Sequence, residues 1–280
     1  MNIEVIENWL NYCEKEKIEP WRYDFKTENL VKGIQNPNPI LRIFEWYINY
    51  DEKYQEGEIE NTELAKEIYC NLWNIDKEII FLDRPFVDID VMNSFWSIYQ
   101  RAIKIDKNQD FYKWKNKKIN EETFQFLINN YDEYLEINKK FEEYSSLTHT
   151  IGNFTLEPRG FNMGRQNSDY WDLGMILLQS FFDCLDGEDN WKNFVEKYFL
   201  QPYVNNSEEY VVTEFWNRKN NYVNPLNSID VEKFISKANW CIEERGKLMI
   251  KKLCEDNNLM HYKFYDLQLK NLKIKFSDDQ

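Results

Sequence analysis

The sequence predicts an α+β fold dominated by helix, a single helix-rich domain over residues 1–280 with a small antiparallel sheet. Three observations carry this expectation. Apolar residues recur at helical spacing through most of the chain. The segment 149–156 is β-prone, and 262–276 alternates like a short hairpin around Lys270-Asn271. No internal repeat or low-complexity linker divides the chain.

The elements follow in order. Ile3, Ile6, Trp9, Leu10 and Cys13 mark a first helix, with Pro20 beyond its end. Asn38-Pro39 reads as a cap with proline at the first helical position, before Leu41, Phe44, Tyr47 and Ile48. Leu64, Ile68 and Leu72 mark a helix capped by Asn61 or Thr62, and Phe95, Ile98, Tyr99 and Ala102 another. Asn120 is expected to cap a long helix with Phe124, Leu127, Ile128, Tyr131, Leu135 and Phe141 inside. After the strand at 149–156, Asp169 reads as a cap, with Asp172 in the first turn and Trp171, Met175, Leu178 and Phe182 as the buried stripe. Trp191, Phe194, Val195 and Tyr198 form a helix broken at Pro202. Ser228 caps a long amphipathic helix through Val231, Phe234, Ile235, Ala238 and Ile242 to about Cys254, and the last four residues read as a loose tail. Trp9, Phe44, Phe95, Phe124, Trp171 and Phe234 are expected to be buried in one continuous core.

Composition narrows the function classes. Hydrophobic residues make up 42 % and aromatic residues 17 %, with ten Trp, enough to fold a real core. The net charge of −14 disfavours broad binding to duplex DNA. Lys113, Lys115, Lys117 and Lys118, interleaved with Phe111, Tyr112 and Trp114, form a local basic patch. It reads either as a stacking surface for bases or as a solvated loop. The acids are spread along the chain, which argues against a mimic of DNA charge. The five cysteines, at 13, 70, 184, 241 and 254, contain no CxxC pair and fit reduced, buried thiols. Five glutamates in residues 1–20 and the lack of a run of ~20 apolar residues point to a cytoplasmic protein with no signal peptide and no membrane span. Richness in Lys, Asn and Ile suggests an AT-rich bacterial or phage genome.

One segment concentrates chemistry. Four of the eight glycines lie between 152 and 174, and His149, one of two histidines, stands at its start. The ligand-binding candidates are His149, Asn153, Arg159, Asn162, Arg165, Asp169 and Asp172. A glycine-rich turn admits a ligand close to backbone, arginine forks clamp phosphate or carboxylate, and a helix start adds its dipole. The bland alternative is a strand, a tight connection and a capped helix. Metal ligation is not expected, and no cofactor is implied.

The run His149-Thr-Ile-Gly-Asn-Phe-Thr-Leu-Glu-Pro, then Arg159-Gly-Phe-Asn, then Asp169-Tyr-Trp-Asp-Leu resembles an uncharacterised bacterial family, domain of unknown function 6994. Tyr23-Asp24-Phe25-Lys26-Thr27 resembles its N-terminal motif, Pro39-Ile-Leu-Arg42 its next helix, and Phe234 with Arg245 its C-terminal helix. The stretch between strand and Arg-Gly-Phe-Asn turn is shorter here than in the family. The resemblance implies no activity. More weakly, His149-x-Ile-Gly-Asn-Phe-Thr-Leu with Asn162 and Asn167 resembles part of an HNH-type nuclease domain. That chemistry needs an earlier histidine as general base, and none precedes His149.

GxGxxG, P-loop, GxSxG and HExxH motifs are absent. Two readings of function follow. One is a protein-binding module in phage–host conflict or its regulation. The other is a small-molecule or nucleotide-handling enzyme with its site at 149–172. The partner is accordingly another protein or a small anionic ligand.

Overall fold

Ile6, Trp9, Leu10 and Cys13 fall on one face of α1 (Ile3–Glu16), and all four are buried. The helix stops at Lys17, left-handed at φ 58°, and Ile18 closes the end by donating to the Cys13 carbonyl at 2.8 Å. These elements come from a computed structural model that describes residues 2–28, 36–49, 62–73, 88–91, 95–109, 121–157, 171–183, 190–218 and 223–280. In α2 (Pro39–Asn49) the Asn38 side-chain oxygen accepts from the N–H groups of Ile40 and Leu41, at 2.9 and 3.1 Å. Thr62 caps α3 (Glu63–Trp73), its hydroxyl accepting from Ala65 at 3.3 Å; Asn61 lies outside the described residues. The next helix, α4 (Phe95–Lys107), buries Phe95, Ile98, Tyr99 and Ala102.

Several expectations need correction. The long helix after Asn120 is broken into α5 (Glu121–Asn129) and α6 (Leu135–Leu147) by a 3-10 turn at Tyr131–Tyr134. The Asn130 side chain donates to the Phe126 carbonyl at 2.8 Å, and the Asn138 side chain to the Tyr131 carbonyl at 3.2 Å. Such side-chain bonds compete with the helical ladder. The strand expected from His149 begins only at Phe154. Thr148 and Thr150 bond back to the carbonyls of Tyr144 and Leu147, and Ile151–Asn153 forms a 3-10 turn. The pair that results is β1 (Asp88–Val91) antiparallel to β2 (Phe154–Glu157), in the register Asp88 to Glu157 and Val91 to Phe154. The expected hairpin at 262–276 is a π-turn at Tyr265–Leu269 instead, because Tyr262, Tyr265 and Leu269 reach the core at helical spacing. Lys270 closes that turn by donating to the Tyr265 carbonyl at 2.8 Å. The tail is tied down: Ser277 donates to the Val204 carbonyl and accepts from Lys237 Nζ at 2.8 Å.

The chain continues with α7 (Trp171–Phe182) and α8 (Trp191–Lys197), the latter capped by Asn190. Last comes α9 (Ser228–Asp256), 29 residues long and capped by Asn227 rather than Ser228. α9 is the axis, touching α3, α4, α6, the turn at Pro20–Arg22 and the turn at Ile151–Asn153. Trp9, Phe44, Phe95, Phe124 and Phe234 join one buried cluster that runs from Ile6 to Leu269. The Trp171 side chain, Cys184 and the basic patch at 113–118 lie outside the described residues; Cys13, Cys70, Cys241 and Cys254 are buried thiols in no disulfide. Among the described residues, no helix is long and apolar enough to cross a membrane.

Candidate functional site

The turn at Ile151–Asn153 sits against α9 so closely that a Cβ on Gly152 would lie 2.0 Å from the Ile242 carbonyl oxygen. Only glycine permits this approach. Arg245 of α9, fully buried, then fastens the turn: Nη1 donates to the carbonyls of Gly152, at 2.8 Å, and Phe154, while Nε donates to Tyr198 at 3.1 Å. The start of the candidate segment is thus locked to the central helix.

On the other side of this turn lies a charged centre. Asp24 accepts the Lys26 backbone N–H at 3.0 Å, and Lys26 Nζ folds back onto the same carboxylate oxygen, also at 3.0 Å. Arg42 of α2 meets the second oxygen through Nε at 2.9 Å, an ion contact whose angle falls outside hydrogen-bond geometry. Lys26 Nζ also lies 3.1 Å from His149 Nδ1, and the His149 carbonyl accepts the Phe25 N–H at 3.0 Å. Trp46 lies against the His149 ring at 4.7 Å, and Phe25 packs on Phe154 at 5.3 Å. Lys26 is 1 % exposed, His149 5 % and Asp24 7 %.

The electrostatics follow from this burial. Loss of water pushes the Lys26 pKa down and Arg42 adds to the effect, while Asp24 opposes it. Burial, and then the Lys26 charge, hold His149 well below its ordinary range. The imidazole is therefore neutral at pH 7. Its Nδ1 accepts from the ammonium, which leaves the ring proton on Nε2.

The structure separates the candidates of the sequence. His149 belongs to this centre. Asn153 is fully buried and its Nδ2 donates to the Thr148 carbonyl at 2.6 Å to brace the turn, while its Oδ1 meets no hydrogen-bond donor among the described residues. Asp172 is held by four hydrogen bonds. One of its carboxylate oxygens accepts from Arg218 Nε and the Phe215 N–H at 3.0 Å, the other from Arg218 Nη2 and the Leu173 N–H. Burial raises its pKa against the pull of Arg218. All four lone-pair directions are used, so a ligand has no place to bind. The Arg218 guanidinium also stacks 3.4 Å from the Trp216 ring. Arg159, Asn162, Arg165 and Asp169 lie outside the described residues, in the stretch that follows β2 directly.

Lys26, Asp24, Arg42 and Trp46 were not candidates in the sequence. The first three stood only in the short motifs Tyr23–Thr27 and Pro39–Arg42, which the fold brings to His149, and Trp46 lies in neither. Among the described residues, no group of three or more His, Cys, Asp or Glu is placed to hold a metal ion. No family model, curated protein or solved structure matches the chain.

Proposed function

We propose that this protein handles a small anionic ligand of the phosphate or nucleotide class at the Lys26–His149 centre. The observation that carries the reading is the buried Lys26 ammonium. Two cations, Lys26 and Arg42, share the carboxylate of Asp24 beside an imidazole that is neutral. An ammonium has three donors, of which Asp24 and His149 take two. Buried charges are costly unless paired, and groups perturbed in this way concentrate at functional sites. Arg159 and Arg165, next along the chain, add to the preference for an anion.

Segments quoted for the family resemblance meet at this centre. The Lys26 cation speaks against a nuclease of the HNH type, since a divalent metal at His149 would face it. The alternative of a protein-binding module rests on a different surface, described below.

A thermal-shift series with phosphate, mono- and dinucleotides and divalent metals tests the proposal. At least one phosphate-bearing compound should raise the melting temperature, and Lys26→Met should abolish that rise. Arg159→Lys or Arg165→Lys should reduce it. If no anion stabilises the protein, or if Lys26→Met responds like the parent, the centre is a structural ion pair and the proposal fails.

A further inference from the structure

The first half of α9 carries Ile229, Glu232, Lys233, Ser236 and Lys237 at i, i+3, i+4, i+7 and i+8, and all five line one cavity of about 420 Å³ with Phe215 and Gln280. Ile229, which lines it, is 61 % exposed, and Leu226 and Val223, in the chain leading into the helix, are 52 % and 39 % exposed. Three exposed aliphatic side chains within seven positions are more than scattered surface residues explain.

The charge of the cavity is opposite to that of the chain. Glu232 is neutralised by Lys140 at 2.8 Å. Lys233 is exposed, and no described residue pairs with it. Lys237 is nine-tenths buried, donates to the Ser277 carbonyl at 2.8 Å and lies 4.9 Å from the Trp240 ring. No carboxylate among the described residues is within ion-pair distance of it; Asp278, further along the tail, attracts it only from beyond that distance. A buried cation without a counter-ion, beside an exposed aliphatic rim, asks for an acidic and apolar occupant.

We propose that this face docks an acidic amphipathic helix of a partner protein. Its apolar side chains cover Val223, Leu226 and Ile229, and its Asp or Glu side chains reach Lys233 and Lys237. Charge selects this occupant over a second copy of the chain, because two copies each carrying −14 repel one another as a whole, whereas an acidic helix alone is drawn to Lys233 and Lys237. The surface is built from residues other than those of the Lys26–His149 centre, so either assignment stands or falls alone.

Fluorescence anisotropy on the whole chain tests it with a labelled synthetic helix of about eighteen residues, five turns long, carrying a leucine stripe flanked by glutamates. A counterpart with lysine at every glutamate serves as the control. The acidic helix should bind about tenfold tighter than the basic one, and added salt should weaken it. Ile229→Asp, Leu226→Ser and Lys233→Glu should each weaken it about tenfold with an unchanged melting temperature, since all three side chains are exposed. Equal binding of both helices, no binding, or indifference to these variants would overturn the proposal. A dimer in light scattering that Ile229→Asp dissolves would give the face to a second copy and overturn it as well.

Discussion

The structure holds two buried charge centres, at Asp24 and at Asp172, and they are built differently. At Asp172 one carboxylate receives Arg218 through two nitrogens and two backbone N–H groups, and the guanidinium is covered by Trp216. Among the described residues the charges are matched one to one. At Asp24 one carboxylate serves two cations, Lys26 and Arg42, and a neutral imidazole takes a further hydrogen bond from Lys26. The comparison separates two uses of buried charge. A matched, fully bonded pair can only hold elements together; an unmatched one retains donors that an anion can satisfy.

The sharpest way to break this contrast is Asp172→Ala. It removes the carboxylate that meets Arg218 through two nitrogens, and loss of one partner of a buried pair costs about 3–5 kcal/mol. Urea denaturation should show a fall of that size. A loss below about 1 kcal/mol would mean that Arg218 finds water or another acceptor, and the clamp would not be closed.

The next effect concerns pH. The folded state holds His149 neutral well below its ordinary pKa, whereas the unfolded chain takes up a proton near pH 6.5. The unfolded state therefore binds more protons on acidification, and stability falls. The contribution is intact above about pH 6.5 and declines below it by up to about 1.4 kcal/mol per pH unit, until the folded pKa is reached. His149→Gln should flatten the slope of unfolding free energy between about pH 6.5 and 5 relative to the parent, whatever its absolute stability. Parallel slopes would show that His149 titrates normally and that Lys26 does not hold it neutral.

The contrast also shows what could be read in advance. Helical stripes such as Ile6–Cys13 and Phe95–Ala102, and the caps at Asn38 and Thr62, were legible because spacing and capping are local. The break at Asn130 and the π-turn at Tyr265 were not. Each depends on which of several local bonds the rest of the fold rewards. Strand β2 was anticipated; its partner β1, far off in sequence, was not. Among site residues, His149 stood out by rarity. Lys26 and Arg42 did not, because in a chain with 35 Lys and Arg nothing local marks the ones that burial makes special. Asp172 misled for a similar reason: a carboxylate at a helix start suits a ligand and a clamp equally, and only Arg218, 46 positions away, decides.

A smaller effect is expected from Lys26→Met. The change removes the surplus cation and leaves Asp24 matched to Arg42, with its bond to the backbone N–H of residue 26 kept. Replacing a buried ion by an apolar side chain of similar volume is often nearly neutral, so the cost should stay within about 1 kcal/mol. A loss as large as that of Asp172→Ala would make the two centres equivalent, and Lys26 a structural counter-ion.

Arg42→Lys should have the smallest effect and discriminates most finely. Arg218 uses its planar fork on Asp172 and its face on Trp216, two properties that lysine lacks. Arg42 uses neither on Asp24. It makes one bent contact through Nε, and its side chain is 17 % exposed, so water already shares its charge. A lysine keeps the charge and can reach the same oxygen. The predicted cost is therefore below about 1 kcal/mol, the range of a partly solvated ion contact. Urea melts of Arg42→Lys and Arg218→Lys, measured side by side, check this. Comparable losses in the two would show that Arg42 is as tightly bound as Arg218, and the Asp24 centre would then be a second clamp. A stable Arg42→Lys that has lost the anion-induced rise in melting temperature would show the reverse, that the guanidinium fork at position 42 is kept for the ligand.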